Sequence, residues 1–206
     1  MMGKFAALSY CWGGKDELEC SPPLKLTPST VSELRSGIGI SKLPLTLRQA
    51  VTICNYLSLE HVWIDALCII QGDASDWANE SKKMATVYAL STVTIIAASS
   101  TSCHSGLLAS DLNSFALSTP PLRLPVLVAQ RESLSGFHSP ISIARDPIDK
   151  RGWTLQEELL STRYIKFTKD DLQWKCNSGT ECMCRQPTDV AKSRPFVLHN
   201  LLREEL

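Results

Sequence analysis

The sequence predicts an α/β fold in which a mostly parallel sheet is flanked by helices. Three short apolar runs, at residues 5–12, 61–70 and 92–98, have the length and composition of buried strands. Two segments with apolar residues at helical spacing, residues 46–57 and 76–90, separate these runs. Strands that alternate with helix-length connections favour parallel pairing through right-handed crossovers.

The first strand and the first long helix have clear boundary signals. Gly13-Gly14 predicts a turn after the strand, and a long mixed excursion follows over residues 15–42, with a short helix near 31–35. Thr46 and Gln49 have capping-box spacing, which would satisfy two N–H groups at the start of the long helix. The inward face of that helix is predicted to carry Leu47, Ala50, Val51, Cys54 and Leu57.

The second strand is predicted over residues 61–70, where Asp65 interrupts an apolar run. A buried carboxylate costs several kcal/mol unless it is hydrogen-bonded or paired, so Asp65 must have a structural partner or a task. The helix over 76–90 is predicted to turn Trp77, Met84, Val87 and Tyr88 inward. The β-branched run 92–98 completes a β-α-β-α-β order.

The last predicted elements are a helix and a hairpin. The helix covers residues 151–161 and contains a second possible capping box at Thr154 and Glu157. The hairpin joins residues 164–167 to residues 172–176, both of which alternate in the manner of strands.

We therefore place one domain over residues 1–176 and a polar tail over residues 177–206. The domain has three parts: a βαβαβ core at 5–100, an irregular insertion at 101–150 and a final block at 151–176. The insertion could contain a strand at 122–129, and the tail ends in a short amphipathic stretch at 196–206.

Composition excludes several classes of protein. Hydrophobic residues make up 44% of the 206 and charged residues 20%, which is typical of a globular domain. Lys and Arg number 21 and so do Asp and Glu, so net charge gives no argument for nucleic-acid binding. No apolar run approaches the ~20 residues of a membrane span, and no secretory signal is recognisable, so we expect a cytoplasmic protein.

The cysteines favour free thiols over a metal site. Of the 8 cysteines, Cys176, Cys182 and Cys184 lie close together, and Cys103 or His104 could supply a fourth zinc ligand. The C-x5-C-x-C spacing is unusual for zinc, and without a secretory signal reduced thiols are expected.

Two further carboxylates and one arginine are candidate site residues. Glu80 shares a helix face with Trp77, either as a surface residue whose stem covers the core or as an acid held at a cleft. Glu157 either caps its helix or contributes to a site. Arg151 and Trp153 could clamp an anion or a planar ring, or form a salt bridge beside a core tryptophan.

Three blocks of the sequence carry a family signal. The first is Ala-Leu-Ser-Tyr-Cys-Trp-Gly at 7–13. The second is Trp-Ile-Asp-Ala-Leu-Cys-Ile-Ile-Gln at 63–71, continued by Asp73, Asp76-Trp77, Glu80, Met84 and Val87-Tyr88-Ala89. The third is Arg-Gly-Trp-Thr-Leu-Gln-Glu at 151–157, followed by Leu160-Ser161 and Arg163. Together, in this order and approximate spacing, they resemble the fungal heterokaryon incompatibility (HET) domain.

The resemblance implies an effector of fungal nonself recognition, in which mismatch after cell fusion triggers programmed cell death. The HET domain is also similar to TIR domains, which implies a flavodoxin-like, TIR-like sheet. Some TIR domains cleave NAD with a glutamate that follows a Ser-x-Trp-Cys segment. Residues 75–80, Ser-Asp-Trp-Ala-Asn-Glu, look similar, although Ala78 replaces the cysteine and the Trp-to-Glu spacing is three rather than four.

This analogy makes Glu80 the expected catalytic carboxylate, with Asp65 supporting the site from the sheet. Because ligands of open α/β sheets bind outside the carboxyl ends of the strands, we expect Trp12, Gln71 and Asp73 to lie near the site. Arg151, Trp153 and Glu157 are the further candidate binding residues. NAD would be a substrate, and neither a cofactor nor a metal is expected. The expected partners are copies of the same chain or other incompatibility proteins, with no nucleic acid and no membrane.

The alternative is a non-enzymatic interaction or assembly module, or a truncated inactive member of the family. Asp65, Gln71, Arg151 and Glu157 would then form a buried polar network that fixes the loops. A zinc-bound module is a third hypothesis.

Overall fold

The computed structural model describes residues 3–14, 19, 21–107, 146–169, 172–176 and 179–182. Within them, six strands form one sheet: β1 (Phe5–Ser9), β2 (His61–Trp63), β3 (Val93–Ile96), β4 (Tyr164–Phe167), β5 (Leu172–Cys176) and β6 (Gly179–Cys182). The strand order is β2-β1-β3-β4-β5-β6. The first four are parallel, and β5 and β6 are added antiparallel.

This sheet confirms the predicted α/β class. Apart from the reversed direction of β5, the order 2-1-3-4-5 is that of flavodoxin-like sheets. The predicted hairpin is also confirmed, because β4 and β5 pair directly with Ile165 opposite Trp174. A further strand, β6, lies in the segment that we assigned to the tail.

Five helices accompany the sheet in the described part of the chain. They are α1 (Val31–Ser36), α2 (Leu45–Tyr56), α3 (Asp65–Cys68), α4 (Ala74–Leu90) and α5 (Gly152–Leu160). Short 3₁₀ turns occupy Ile40–Lys42 and Pro147–Lys150. The short helix predicted near residues 31–35 and the helix predicted at 151–161 are both confirmed.

Helices cover both faces of the sheet. Successive strand residues point to opposite faces, so neighbouring residues of β3 contribute to different cores. On one face, Leu47 and Ile53 of α2 join a core that contains Leu8 and Ile95. The neighbouring Ile96 belongs to a second core cluster with Cys11, Ala98, Ile148 and Tyr164. That second face also carries α4 and α5, which contact each other.

Buried hydroxyl groups tie the ends of α4 and α5 to β3. Thr94, in the middle of β3, is fully buried, and its hydroxyl accepts a hydrogen bond from Ser161 at 2.7 Å. The Ser91 hydroxyl, just after α4, lies 3.1 Å from the same oxygen. Buried polar groups that find partners this way favour a single arrangement of the elements that carry them.

The strand predicted over residues 61–70 is confirmed only over its first residues, because β2 ends at Trp63. Asp65 starts the helical turn α3, where its carboxylate accepts a hydrogen bond from the Ala66 N–H at 2.6 Å. The apolar run continues past the strand because the turn is buried as well: Ile64, Ala66 and Ile69 are at most 3% exposed. β1 and β3 are likewise shorter than the predicted strands at residues 5–12 and 92–98.

Both predicted capping boxes are wrong, since their side chains make tertiary contacts. The Thr46 hydroxyl donates to the Ser102 carbonyl at 3.0 Å, and Gln49 accepts from the Leu107 N–H at 2.7 Å, so both hold the loop after β3. At α5, the Thr154 hydroxyl donates to the Ile148 carbonyl at 2.7 Å. A capping signal in the sequence looks the same whether the partner is the helix or a distant loop.

The predicted inward stripe of α4 is wrong at its first member. Trp77 is 56% exposed, and only Tyr88 on this helix is buried. The possible strand at 122–129 and the amphipathic stretch at 196–206 lie outside the described residues.

Gly106 is expected to tolerate no side chain. Its φ is +78°, and an added Cβ would lie 3.0 Å from Gln49 Oε1 and 3.0 Å from Leu45 Cδ2. We therefore expect Gly106→Ala to lower the free energy of unfolding by about 1–3 kcal/mol in urea denaturation. Gly39→Ala is the control, because Gly39 has φ −65° and only the Ser41 hydroxyl, at 3.7 Å, nearby. Equal effects of the two substitutions would contradict the packing described for this loop.

Candidate functional site

A cleft of about 400 Å³ opens beyond the carboxyl ends of β1 and β2. Its floor includes Trp12, three residues after β1, and Asp65 and Gln71, which follow β2. Its walls are one face of α4, with residues 77, 81, 84, 85 and 88, and one face of α5, with residues 153, 156, 157 and 160. Within each helix these residues recur at helical spacing, so they share one face. The chain order reverses about β1, and such switch points are where open α/β sheets bind ligands.

Asp65 is a partly buried carboxylate held by donors from its own turn and from the loop after β1. Oδ2 accepts from the Trp12 indole Nε1–H at 2.9 Å, and Oδ1 accepts from the Ala66 N–H. Burial raises the pKa of Asp65, while these two donors and the Arg151 guanidinium oppose the rise. The Tyr10 hydroxyl is buried beside Asp65 but forms no hydrogen bond of good geometry within the described residues, and its own pKa is raised by burial and by Asp65.

Glu157 is a second partly buried carboxyl, carried by α5. Its Oε2 accepts from the Ser9 hydroxyl at 2.5 Å, which ties α5 to the end of β1. The pKa of Glu157 is raised to about 7, chiefly by burial and also by Asp65, against the opposing effects of Ser9, Tyr88 and Arg151. A carboxyl group with this pKa can take up or release a proton at neutral pH.

Arg151 brings a cation to the two carboxyls. It precedes α5, and Nη1 donates to the carbonyl oxygen of Tyr10 at 3.0 Å, which fixes the guanidinium beside the end of β1. The same guanidinium favours the ionised forms of Asp65 and Glu157. Because Arg151 is itself exposed, its remaining N–H groups can reach a ligand.

Indole rings surround the charged groups. Trp77 is 56% exposed and Trp153 is 69% exposed, one on each wall of the cleft. Trp12 lies on the floor, with the Lys25 ammonium 4.9 Å from its ring centroid. Large aromatic faces left open to solvent at a cleft offer stacking surfaces for a planar ring.

The structure brings six of the eight predicted site residues together. Those lining the cleft are Trp12, Asp65, Gln71, Arg151, Trp153 and Glu157. Asp73 does not line it and instead caps α4, where its carboxylate accepts from the N–H groups of Ser75 at 2.9 Å and Asp76 at 3.1 Å. Glu80 does not line it either, and its carboxylate pairs with Lys83 at 2.6 Å.

Sequence reasoning missed several residues that complete the site. Ser9, Tyr10 and Tyr88 surround the carboxyls, and Lys82 lies at the rim. The first two belong to the Ala-Leu-Ser-Tyr block, whose presence signals the family but gives no role to its single members. The helical spacing of Tyr88 predicts only a core position, although its hydroxyl faces Leu8 and Glu157.

Neither a metal centre nor a membrane span is found in the described part of the chain. No group of three or more His, Cys, Asp and Glu residues there could hold a metal ion. No described helix is both long enough and apolar enough to span a bilayer. The described cysteines, Cys11, Cys54, Cys68, Cys103 and Cys176, are not in disulfide bonds.

The raised pKa of Glu157 makes stability depend on pH. Its folded-state pKa of about 7 exceeds the ordinary value of 4.5, so the folded protein binds more protons between these values. The stabilisation is fully present below about pH 4.5 and is lost as pH rises toward 7, by on the order of 3 kcal/mol. We expect Glu157→Gln to remove this loss in urea denaturation measured at pH 4.5 and pH 8.

Glu158→Gln is the matched control, since Glu158 lies next along α5 and pairs with Lys166 at 2.9 Å. It should lower stability but keep the wild-type pH dependence. If Glu157→Gln and the wild type lost the same stability between the two pH values, the account of Glu157 would be wrong.

Comparison with known proteins identifies the family. The family model for heterokaryon incompatibility protein (HET) matches residues 5–157, more than half of the chain. The match includes both carboxyls, Arg151 and all three indoles of the cleft. No curated protein and no solved structure matches the chain. The chain therefore belongs to the heterokaryon incompatibility (HET) family, and its function is related to heterokaryon incompatibility.

Proposed function

We propose that this protein is an effector of nonself recognition and programmed cell death that binds NAD in the cleft and hydrolyses its nicotinamide N-glycosidic bond. The observation that carries the proposal is the convergence of two partly buried carboxyls, Asp65 and Glu157, beside Arg151 and between exposed indoles. A site of this composition provides a partner for each chemical part of a nucleotide.

Binding would use three kinds of contact. The open faces of Trp77 and Trp153 can stack on a heterocyclic base. Carboxylate oxygens accept hydrogen bonds from ribose hydroxyls, as acidic residues do in dinucleotide sites. The exposed Arg151 attracts the negative charge of the phosphates. The cleft volume of about 400 Å³ falls within the usual range for small-molecule sites.

Hydrolysis requires that positive charge be stabilised as the bond between ribose C1′ and the nicotinamide nitrogen breaks. In its ionised form the Asp65 carboxylate, which Trp12 and Ala66 hold in place, would stabilise an oxocarbenium-like ribose. The bonding electrons leave with nicotinamide, which departs as a neutral molecule. Water forms the new bond to C1′, and its proton passes to Glu157, whose pKa of about 7 suits a general base.

Glu157 is a better candidate for this role than Glu80. The Glu80 carboxylate is already paired with Lys83 at 2.6 Å and is not among the residues of the cleft. Glu157 instead faces Asp65 inside the cleft, where exclusion of water strengthens electrostatic interactions. If Glu157 is the catalytic carboxyl group, Glu157→Gln should lose NAD cleavage and Glu80→Gln should keep it. If Glu80 is, the two results should be reversed.

The test is consumption of NAD by purified protein, measured dilute and at high concentration. We expect Asp65→Asn and Glu157→Gln each to lower kcat by at least about 100-fold, because each removes a charge that acts on the reacting atoms. Glu80→Gln should retain wild-type turnover. Near-UV circular dichroism should show that each variant is folded.

Loss of turnover in Glu80→Gln with full activity in Glu157→Gln would assign the catalytic role to Glu80 in α4 and contradict its assignment to Glu157. Absence of turnover in folded wild-type protein at every concentration would contradict the proposal of NAD cleavage.

A second candidate function, assembly with copies of the same chain, is supported by the outer face of α5. Leu155 and Leu159 are 62% and 69% exposed, and their spacing of four places them side by side on the helix. Exposed apolar side chains gathered on one helix face are typical of interaction surfaces. If this face drives assembly, Leu155→Glu with Leu159→Glu should leave the protein monomeric in sedimentation velocity.

Leu90→Glu is the control for that experiment, because Leu90 is 55% exposed at the end of α4. Wild-type protein that remains monomeric at high concentration, or a double variant that assembles equally well, would contradict self-association through α5.

A further inference from the structure

A second cavity, of about 460 Å³, lies next to the cleft. Trp12 and Arg151 line both spaces, so the two adjoin at the end of β1. The second cavity also contains Gly13 and Gly14 from the loop after β1, and Lys150 from the turn before α5. The chemistry proposed above uses Trp12 and Arg151 but assigns no role to Gly13, Gly14 or Lys150.

The charge of this second cavity is positive. Lys150 and Arg151 are two cations among its described lining residues, and no carboxylate lines it. Lys150 is exposed and has no ion pair within the described residues. The neighbouring Asp149 is directed to Lys166, whose Nζ lies 3.5 Å from its carboxylate. The cavity is therefore suited to an anion.

The backbone of the loop adds donors. Gly13 has φ +129°, a conformation that favours glycine, and an added Cβ at Gly14 would meet nothing within 4 Å. Within the described part of the chain, the N–H groups of these two glycines make no hydrogen bond. Unpaired N–H groups in a glycine turn after the first strand are the donors that α/β sheets use for phosphate.

We infer that this cavity is a phosphate subsite, and that it holds the diphosphate of the nucleotide whose ribose and base occupy the cleft. That the nucleotide is NAD is taken from the proposed function, on which this inference rests. Arg151 lies where the two spaces adjoin, beside the carboxyls on one side and Lys150 on the other. NAD fits this arrangement, because its base, ribose and diphosphate follow one another and could reach from the cleft into the second cavity.

The subsite predicts selection for phosphorylated substrates. Lys150→Ala should raise KM for NAD about tenfold with kcat unchanged, because a charge-assisted contact to phosphate is lost away from the reacting bond. Cleavage of nicotinamide riboside, which has no phosphate, should be the same in Lys150→Ala and wild type. Lys42→Ala is the charge-matched control, since Lys42 lines neither space, and it should leave both substrates unaffected.

Binding of inorganic pyrophosphate tests the subsite independently of catalysis. In ¹H–¹⁵N spectra of the full chain, pyrophosphate should shift the amide signals of Gly13 and Gly14 in wild type and in Glu157→Gln, but not in Lys150→Ala. This result would support the subsite even if NAD were never cleaved. Shifts of equal size in Lys150→Ala, no shift at either glycine, or an unchanged KM for NAD in a cleaving enzyme would overturn it.

Discussion

The pair of carboxyls at the end of β1 is the constraint on which the rest of the site depends. Asp65 and Glu157 lie far apart in the sequence, one just after β2 and the other in α5, and burial raises the pKa of both. Such groups persist only where donors compensate for lost hydration. The Ser9 hydroxyl satisfies Glu157 and the Trp12 indole satisfies Asp65, so the register of β1 positions both.

Tyr88 and the indoles complete the surroundings of this pair. Tyr88 supplies a buried ring and a hydroxyl beside Glu157, and it packs edge-to-face on Trp63 at 5.7 Å. Trp77 on α4 and Trp153 on α5 line the same cleft and remain open to solvent. The cleft therefore offers a planar, charged ligand both exposed aromatic faces and partly buried carboxyl groups.

The sequence predicted the sheet well because its signals are local. Apolar runs marked β1 and β3, and alternation marked the β4–β5 hairpin. It failed at Asp65, which begins the buried turn α3 and accepts a hydrogen bond from the adjacent Ala66 N–H, although the apolar run suggested a continuing strand. It failed also where a tertiary contact decides, because Thr46 donates to the loop after β3 and does not cap its own helix. For the site, proximity to strand ends predicted Trp12, Asp65 and Gln71, and residue type within one sequence block predicted Arg151, Trp153 and Glu157. The role of Ser9 depends on a contact 148 residues away that no local pattern encodes.

The most direct test of the central claim uses the five tryptophans as reporters. Trp12, Trp77 and Trp153 line the cleft, whereas Trp63 and Trp174 do not. With indole N–H signals assigned by single Trp→Phe substitutions, titration of NAD into Glu157→Gln should shift the first three in ¹H–¹⁵N spectra. The Trp174 signal, from the core on the opposite face of the sheet, should stay in place. No shift at the three cleft indoles, or shifts confined to Trp63 and Trp174, would contradict the assignment of this cleft as the NAD site.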